Sequence, residues 1–210
     1  GSAITTGTKN TIVGGLAGDA LTTGVSNVAV GYASLSTAGT SNYNTAIGER
    51  ALHLNVNSNR NVAVGFQALY THSTTNATDS YNTAVGYAAG SVISTGVQNT
   101  IIGGLAGDAL TTGNYNTAVG YTALSSEDAH SGNTAIGFAT LQAQNAGADA
   151  YNVAVGHAAG LAVSTGINNT LIGGFAGDAL TTGVRNVAIG YSALSTEDTT
   201  GNAVAIGYQA

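Results

Sequence analysis

Histidine and carboxylate side chains are the first candidates for chemistry, because only 7% of the 210 residues are charged and the chain has no cysteine. A metal site needs several ligands at one point. The histidines instead stand five, seven, ten and one residues after the glycine of the sequence repeat described below. We therefore expect solvated loop histidines and predict no metal, no cofactor and no catalytic residue. The histidines are His53, His72, His130 and His157.

Three glycine-rich segments resemble calcium-binding nonapeptide turns, in which an aspartate shares an ion with the next turn: 14–21, 103–110 and 173–180. Their aspartates Asp19, Asp108 and Asp178 recur after 89 and 70 residues, which is too sparse for a continuous ladder of ions. We interpret each aspartate as a backbone cap in a turn. No lysine follows the glycines, so a phosphate-binding loop is excluded.

Adjacent carboxylates occur twice, at Glu127-Asp128 and at Glu197-Asp198, each inside a Ser-[Ser/Thr]-Glu-Asp segment. Stacked as coils, the two pairs would lie roughly 19 Å apart. Glycoside hydrolysis needs two carboxylates within about 10 Å of each other. We expect solvated loops here, and a glycan hydrolase with a site between chains is the lesser alternative.

The elements that position these residues follow from an internal repeat, Asn-x-[Ala/Ile/Leu]-[Val/Ile]-Gly, which occurs twelve times. Nine of the eleven spacings between the repeat glycines are 17 residues, and the other two are 21 and 19. A constant period with two insertions indicates stacked coils with local protrusions. The repeat glycines are Gly14, Gly31, Gly48, Gly65, Gly86, Gly103, Gly120, Gly137, Gly156, Gly173, Gly190 and Gly207.

Each repeat has one short β-branched run and no helical periodicity, which predicts an all-β fold. We expect a single parallel β-solenoid over residues 3–210, with twelve coils and a length of roughly 55 Å. Gly1-Ser2 is interpreted as a tag remnant.

Asparagine stands four residues before the glycine in eleven repeats, and only Ala203 departs. Asparagine tolerates a left-handed backbone and can hydrogen-bond to the coil above and below, so we predict a structural ladder. These ladder asparagines are Asn10, Asn27, Asn44, Asn61, Asn82, Asn99, Asn116, Asn133, Asn152, Asn169 and Asn186.

The strand residues are apolar on both faces, which predicts that a second copy covers one of them. We assign the Val or Ile before the glycine to the core, and the column before it to the interface of a parallel homotrimer. The large residues of that second column occur only where Gly15, Gly104 or Gly174 follows the repeat glycine, which suggests one shared packing volume. The proposed interface column is Ile12, Ala29, Ala46, Ala63, Ala84, Ile101, Ala118, Ala135, Ala154, Leu171, Ala188 and Ala205.

Residues 201–210, with the run Val204-Ala205-Ile206-Gly207, resemble the head repeats of trimeric autotransporter adhesins. Residues 61–69 and 116–124 are similar to shaft repeats of phage tail-fibre proteins that end in a chaperone-protease domain. The resemblance spans all twelve repeats and implies a left-handed β-roll, a trimer, and a role in attachment at a cell surface or virion. The 17-residue spacing is longer than that of the adhesin heads.

The loops 70–81 and 142–151 interrupt the constant period and are the predicted receptor contacts, for host glycan or protein. An equally weighted alternative is that they are tolerated insertions. We predict a non-enzymatic, extracellular attachment or spacer segment that acts by multivalent presentation. The candidate contact residues are Tyr70, His72, Thr74, Asn76, Asp79, Tyr81, Gln144, Asn145, Asp149, Tyr151, Glu127, Asp128, Glu197 and Asp198.

An ice- or mineral-surface binder is the second hypothesis, motivated by Thr columns and by Thr-Thr-Gly turns such as Thr22-Thr23. Four Lys+Arg against ten Asp+Glu give no basic surface for nucleic acid. No apolar run reaches the length of a membrane span, so we expect no membrane insertion by this segment.

Overall fold

The computed structural model describes residues 1–76 and 78–210, which form one parallel β-solenoid with a 17-residue repeat and, within this part of the chain, no helix. This confirms the predicted fold class. Twelve strands stack in sequence order into one sheet, so they delimit eleven complete turns rather than twelve. These strands are β1 (Thr11–Val13), β2 (Val28–Val30), β3 (Thr45–Ile47), β5 (Val62–Val64), β7 (Thr83–Val85), β8 (Thr100–Ile102), β9 (Thr117–Val119), β10 (Thr134–Ile136), β11 (Val153–Val155), β12 (Thr170–Ile172), β13 (Val187–Ile189) and β14 (Val204–Ile206).

The strands pair in strict register, so that equivalent residues of successive repeats become neighbours. In the pairing of β9 with β10, for example, Thr117 faces Thr134 and Ala118 faces Ala135. A second, two-stranded parallel sheet joins β4 (Ser58–Asn59) to β6 (Thr78–Asp79). The longer loop 70–81 is therefore partly incorporated into the coil wall.

The orientation of the strands corrects the proposed interface column. The central strand residue, such as Ala118 or Leu171, is fully buried inside its own chain in β2 to β13, and Ile12 and Ala205 of the outermost strands pack against the same core. The Val or Ile before the glycine faces outward instead, and Ile136 and Ile172 are 37% and 38% exposed. Leucines of the turns, such as Leu35 and its equivalents, fill the coil interior. In most coils the space that remains at the central strand position therefore accommodates only an alanine.

The predicted size exchange with Gly15, Gly104 and Gly174 is also wrong, because these glycines lie outside, against tyrosine rings of the next coil. The large strand residues contact a different glycine, six residues later. A Cβ on Gly18 would lie 2.6 Å from Ile12, and one on Gly177 would lie 2.7 Å from Leu171. Most alanine coils carry leucine at that place, so core volume is exchanged between the strand and the following turn.

The asparagine ladder is present as continuous hydrogen bonding. The backbone N–H of Asn116 donates to Asn99 Oδ1 over 2.9 Å, while Asn99 Nδ2 donates to the Gly113 carbonyl over 2.9 Å. The same pattern joins almost every pair of successive coils, and at the last step Ala203 supplies the donating N–H in place of an asparagine. The ladder thus fixes the register on which the outer columns depend.

Candidate binding surface

The two longer loops present only part of their predicted contact residues to solvent. In the first loop Asn76, Asp79 and Tyr81 are exposed, and Tyr70 is half-buried because its ring stacks on His53 at 5.2 Å. In the second loop the predicted contact residues that are exposed are Asn145, Asp149 and Tyr151.

Four predicted contact residues lie inside the rod, which is a correction. His72, Gln144 and Glu127 are fully buried and Thr74 is 8% exposed, so none of them is presented to a receptor in this chain. The Thr74 hydroxyl donates to the Asn76 carbonyl over 2.7 Å and thereby closes its own loop.

The buried polar residues follow a rule that sequence reasoning missed. The residue nine positions after the central strand residue is Leu, Ile or Val where a glycine stands three positions before it, as in the segment Gly107 to Leu110. Where leucine stands there instead, as at Leu69 and Leu141, the later residue is alanine or a polar side chain. The leucine already fills the interior, so the second place takes a small residue or a polar group that hydrogen-bonds within its turn or to the ladder.

His72 and Gln144 occupy this second place in the two lengthened coils. Asn152 Nδ2 donates to Gln144 Oε1 over 2.7 Å, and Asn82 Nδ2 lies 3.3 Å from His72 Nε2. Burial lowers the pKa of His72 to about 4, because the charged imidazolium is poorly solvated there.

Glu127 occupies the equivalent place in its coil but closes its own turn instead of contacting the ladder. Its Oε1 accepts from the backbone N–H of His130 over 3.1 Å and lies 2.8 Å from His130 Nδ1. Glu127, Asp128 and His130 each place one possible ligand atom within 4.8 Å of the others. The equivalent Asn55 accepts from the Ser58 N–H over 2.9 Å, so this carboxylate contact is one form of a repeated turn cap. Asp128, Glu197 and Asp198 are exposed.

Exposed residues of the first loop join a neighbouring coil to form a small charged cluster. Arg60 Nε lies 2.8 Å from Asp79 Oδ2, and the guanidinium carbon stands 4.7 Å and 5.9 Å from the ring centroids of Tyr43 and Tyr81. The arginine therefore lies between two tyrosines of adjacent coils. This pairing lowers the pKa of Asp79, chiefly through the hydrogen bond from Arg60.

Arg60 and its tyrosines belong to a longer column that sequence reasoning also missed. We call it the donor rib: it consists of the residues that stand immediately before the ladder position in each repeat. The pattern was readable, because the ladder asparagine marks the place. The donor rib comprises Lys9, Ser26, Tyr43, Arg60, Tyr81, Gln98, Tyr115, Tyr151, Asn168, Arg185 and Asn202, and Gly132 stands in its remaining coil.

A second exposed column is mostly apolar, with Glu49 and His157 as its polar members. We call it the apolar stripe: it consists of the outward Val and Ile of each strand and of the aromatic residues that follow the repeat glycine. Its rings stack along the rod, with Tyr121 and Phe138 centred 5.9 Å apart and Tyr191 and Tyr208 5.6 Å apart. Six of these aromatic side chains are 49% to 73% exposed: Tyr32, Tyr87, Tyr121, Phe138, Tyr191 and Tyr208.

Comparison with known proteins finds no matching family model, no matching curated protein and no matching solved structure. Over residues 1–76 and 78–210, no helix has the length and apolar character needed to cross a membrane.

Proposed function

We propose that this chain is a non-enzymatic, extracellular attachment or spacer segment that works as a parallel homotrimeric rod. The observation that carries the proposal is the apolar stripe, a column of exposed apolar side chains along the stacked strands. Soluble monomers rarely expose an apolar patch of more than a few hundred Å². A rod of this kind is better suited to assembly and presentation than to catalysis.

The exposed area agrees with association between copies. A half-exposed aromatic side chain offers about 100 Å², so the six exposed rings alone contribute on the order of 600 Å². The outward Val and Ile residues add to this area, and a stable interface buries about 800 Å² on each partner. Rotation of identical rods about a common long axis would bring three such stripes together.

The resemblance to adhesin heads and tail-fibre shafts supports the same assignment. In an attachment rod the coils resist bending, while exposed loops and columns contact host glycan or protein several times over. The loops 70–81 and 142–151 remain candidates for such contacts through Asn76, Asp79, Tyr81, Asp149 and Tyr151, which are exposed.

The proposal is tested by sedimentation equilibrium, which should give three times the mass of one chain, 20.5 kDa. Beads coated with the protein should then adhere to a panel of bacterial and animal cells more strongly than beads coated with albumin. A monomer that adheres to no cell would overturn both parts of the proposal.

The ice- or mineral-surface alternative has one favourable observation, because Thr100 and Thr117 lie side by side in an outward column of seven threonines and five valines. The protruding rings of the apolar stripe, such as Tyr121 at 53% exposure, stand beside this column and would hold a flat surface away. Measuring thermal hysteresis on the same sample decides the matter, and we expect none.

A further inference from the structure

We propose that the donor rib binds a linear, neutral glycan along the axis of the rod. The inference rests on the proposed attachment role and names the surface and the class of ligand. The rib backbone is left-handed throughout, since all eleven rib residues have φ between 50° and 61°. This left-handed conformation is accepted readily by glycine and asparagine and is unfavourable for other residues.

The rib sequence does not follow that preference. Only Asn168, Asn202 and Gly132 are residues that this conformation favours, whereas tyrosine occurs four times and arginine twice. The same conformation recurs two residues after each repeat glycine, where Leu16 and Gln209 are also exposed, so the left-handed backbone belongs to the geometry of the coil. Rib side chains are exposed except for Ser26, which is partly buried, so packing inside the chain does not explain them. What distinguishes the rib is the chemistry of its exposed side chains.

The chemistry of the rib is uniform. Every rib side chain carries a hydrogen-bond donor, and the rib contains neither Asp nor Glu in a chain that has ten of them. Among the rib residues, all of which the structure describes, only Arg60 and Tyr81 direct a side-chain donor at a protein acceptor, and both use Asp79. The remaining donors face solvent along a line with one side chain about every 4.8 Å.

The tyrosine rings of the rib differ from those of the apolar stripe. Neighbouring stripe rings stack and cover part of each other's faces, as Phe66 and Tyr87 do at 5.4 Å with planes 9° apart. In the described part of the chain, Tyr115 and Tyr151 stack on no other ring and are 64% and 58% exposed. Tyr151 leans along the rib over Gly132, where an added Cβ would lie 2.5 Å from the ring. Aromatic faces beside hydrogen-bond donors match a sugar ring, which has an apolar face and a rim of hydroxyl groups.

Charge selects a neutral glycan over an anionic one. Lys9 and Arg185 are cationic, but Arg60 is neutralised by Asp79 and the whole chain carries a net charge of −6. A dense polyanion would be repelled by this field, whereas hydroxyl and acetamido groups accept hydrogen bonds without that cost. A straight rib fits an extended polymer, and many weak contacts along it would sum to useful affinity.

The test is affinity electrophoresis of the full chain in gels that contain one neutral polymer: galactomannan, xylan, hydroxyethyl cellulose or a soluble conjugate of N-acetylated chito-oligosaccharide. Gels that contain alginate or heparin serve as the anionic probes. We expect retardation by at least one neutral polymer. The key variant is Tyr115→Asn/Tyr151→Asn, because asparagine occurs naturally in the rib and suits its backbone. Its dissociation constant should rise roughly tenfold through the loss of two aromatic contacts.

The same variant separates binding from folding. Asparagine adopts the left-handed backbone at a lower conformational cost than tyrosine does. The thermal midpoint of the double variant should therefore equal or exceed that of the unmodified chain, while its affinity for the polymer falls. Thr112→Ala/Thr165→Ala, two exposed turn residues of the same rod, is the matched control and should leave affinity unchanged. The inference would be overturned if no neutral polymer retarded the protein, or if only alginate or heparin did. It would also be overturned if the tyrosine variant were retarded as strongly as the unmodified chain. A trimeric, cell-adherent rod with any of those outcomes would leave the attachment role standing without the rib.

Discussion

His72 is a titratable side chain inside the rod, and its surroundings favour the neutral form. Asn82 directs an amide donor at His72 Nε2, so the neutral ring accepts there, and protonation would place a donor against a donor. Burial lowers the pKa of His72 to about 4, whereas an unfolded histidine titrates near 6.5. The unfolded chain therefore binds the proton more readily than the folded chain.

The expected result is a histidine-specific loss of stability in acid. The stability contributed by the neutral His72 is complete above pH 6.5 and is lost progressively as the pH falls towards 4, where the loss amounts to roughly 3 kcal/mol. Urea unfolding at pH 7 and at pH 4 measures the loss. His72→Gln is the control, because Gln144 makes the equivalent contact to Asn152 without titrating. An equal acid loss in both proteins would show that His72 does not contribute.

At the scale of the elements, the stacked strands depend on the repeat glycines. Gly120 has φ of +138°, and a Cβ added to it would lie 2.2 Å from the Gly137 carbonyl oxygen of the next coil. Each strand ends against the next one at backbone contact, so no side chain fits between the coils.

Gly120→Ala should therefore destabilise the rod by about 3 kcal/mol or more, because it combines a steric clash with an unfavourable backbone conformation. Gly39→Ala is the matched control: nothing lies within 4 Å of the added carbon and φ is not in the left-handed region. Its stability should stay within about 0.5 kcal/mol of the unmodified chain. Circular dichroism during urea unfolding compares the two, and equal midpoints would contradict the argument.

The period and the short β-branched runs predicted the solenoid, because equal spacing forces equivalent residues into columns. They could not predict which face of the strand points into the core. Ala118 and Val119 are both apolar, and a two-residue alternation does not tell which of two apolar faces is buried. The orientation is revealed by the turn residues that share the coil interior with the strand. A glycine stands six residues after every large strand residue, as Gly18 does after Ile12, and so leaves room for it. For the same reason His72 was predicted to lie on the surface. A polar residue in a loop is expected to be solvated unless the packing around it is known.

At the scale of the whole molecule, the corrected orientation moves the expected contact between copies from the alanine column to the apolar stripe. The outward Ile102 and Ile136 are each 37% exposed, whereas Ala118 is fully buried in its own chain. A charge at the first two positions opposes association, and a charge at the third opposes folding. The two effects are separable in one set of variants.

Ile102→Glu/Ile136→Glu should convert the proposed trimer into a folded monomer, because carboxylates in the centre of an apolar interface would lose their solvation. Ala118→Glu should instead unfold the coils around it, with loss of the β-sheet circular dichroism signal. Val92→Glu is the control, since Val92 is also 37% exposed but lies on a turn away from the stripe. Sedimentation velocity distinguishes the species. An unchanged mass for the double variant would place the contact between copies elsewhere on the rod, and a folded, monomeric Ala118→Glu would restore the original alanine interface.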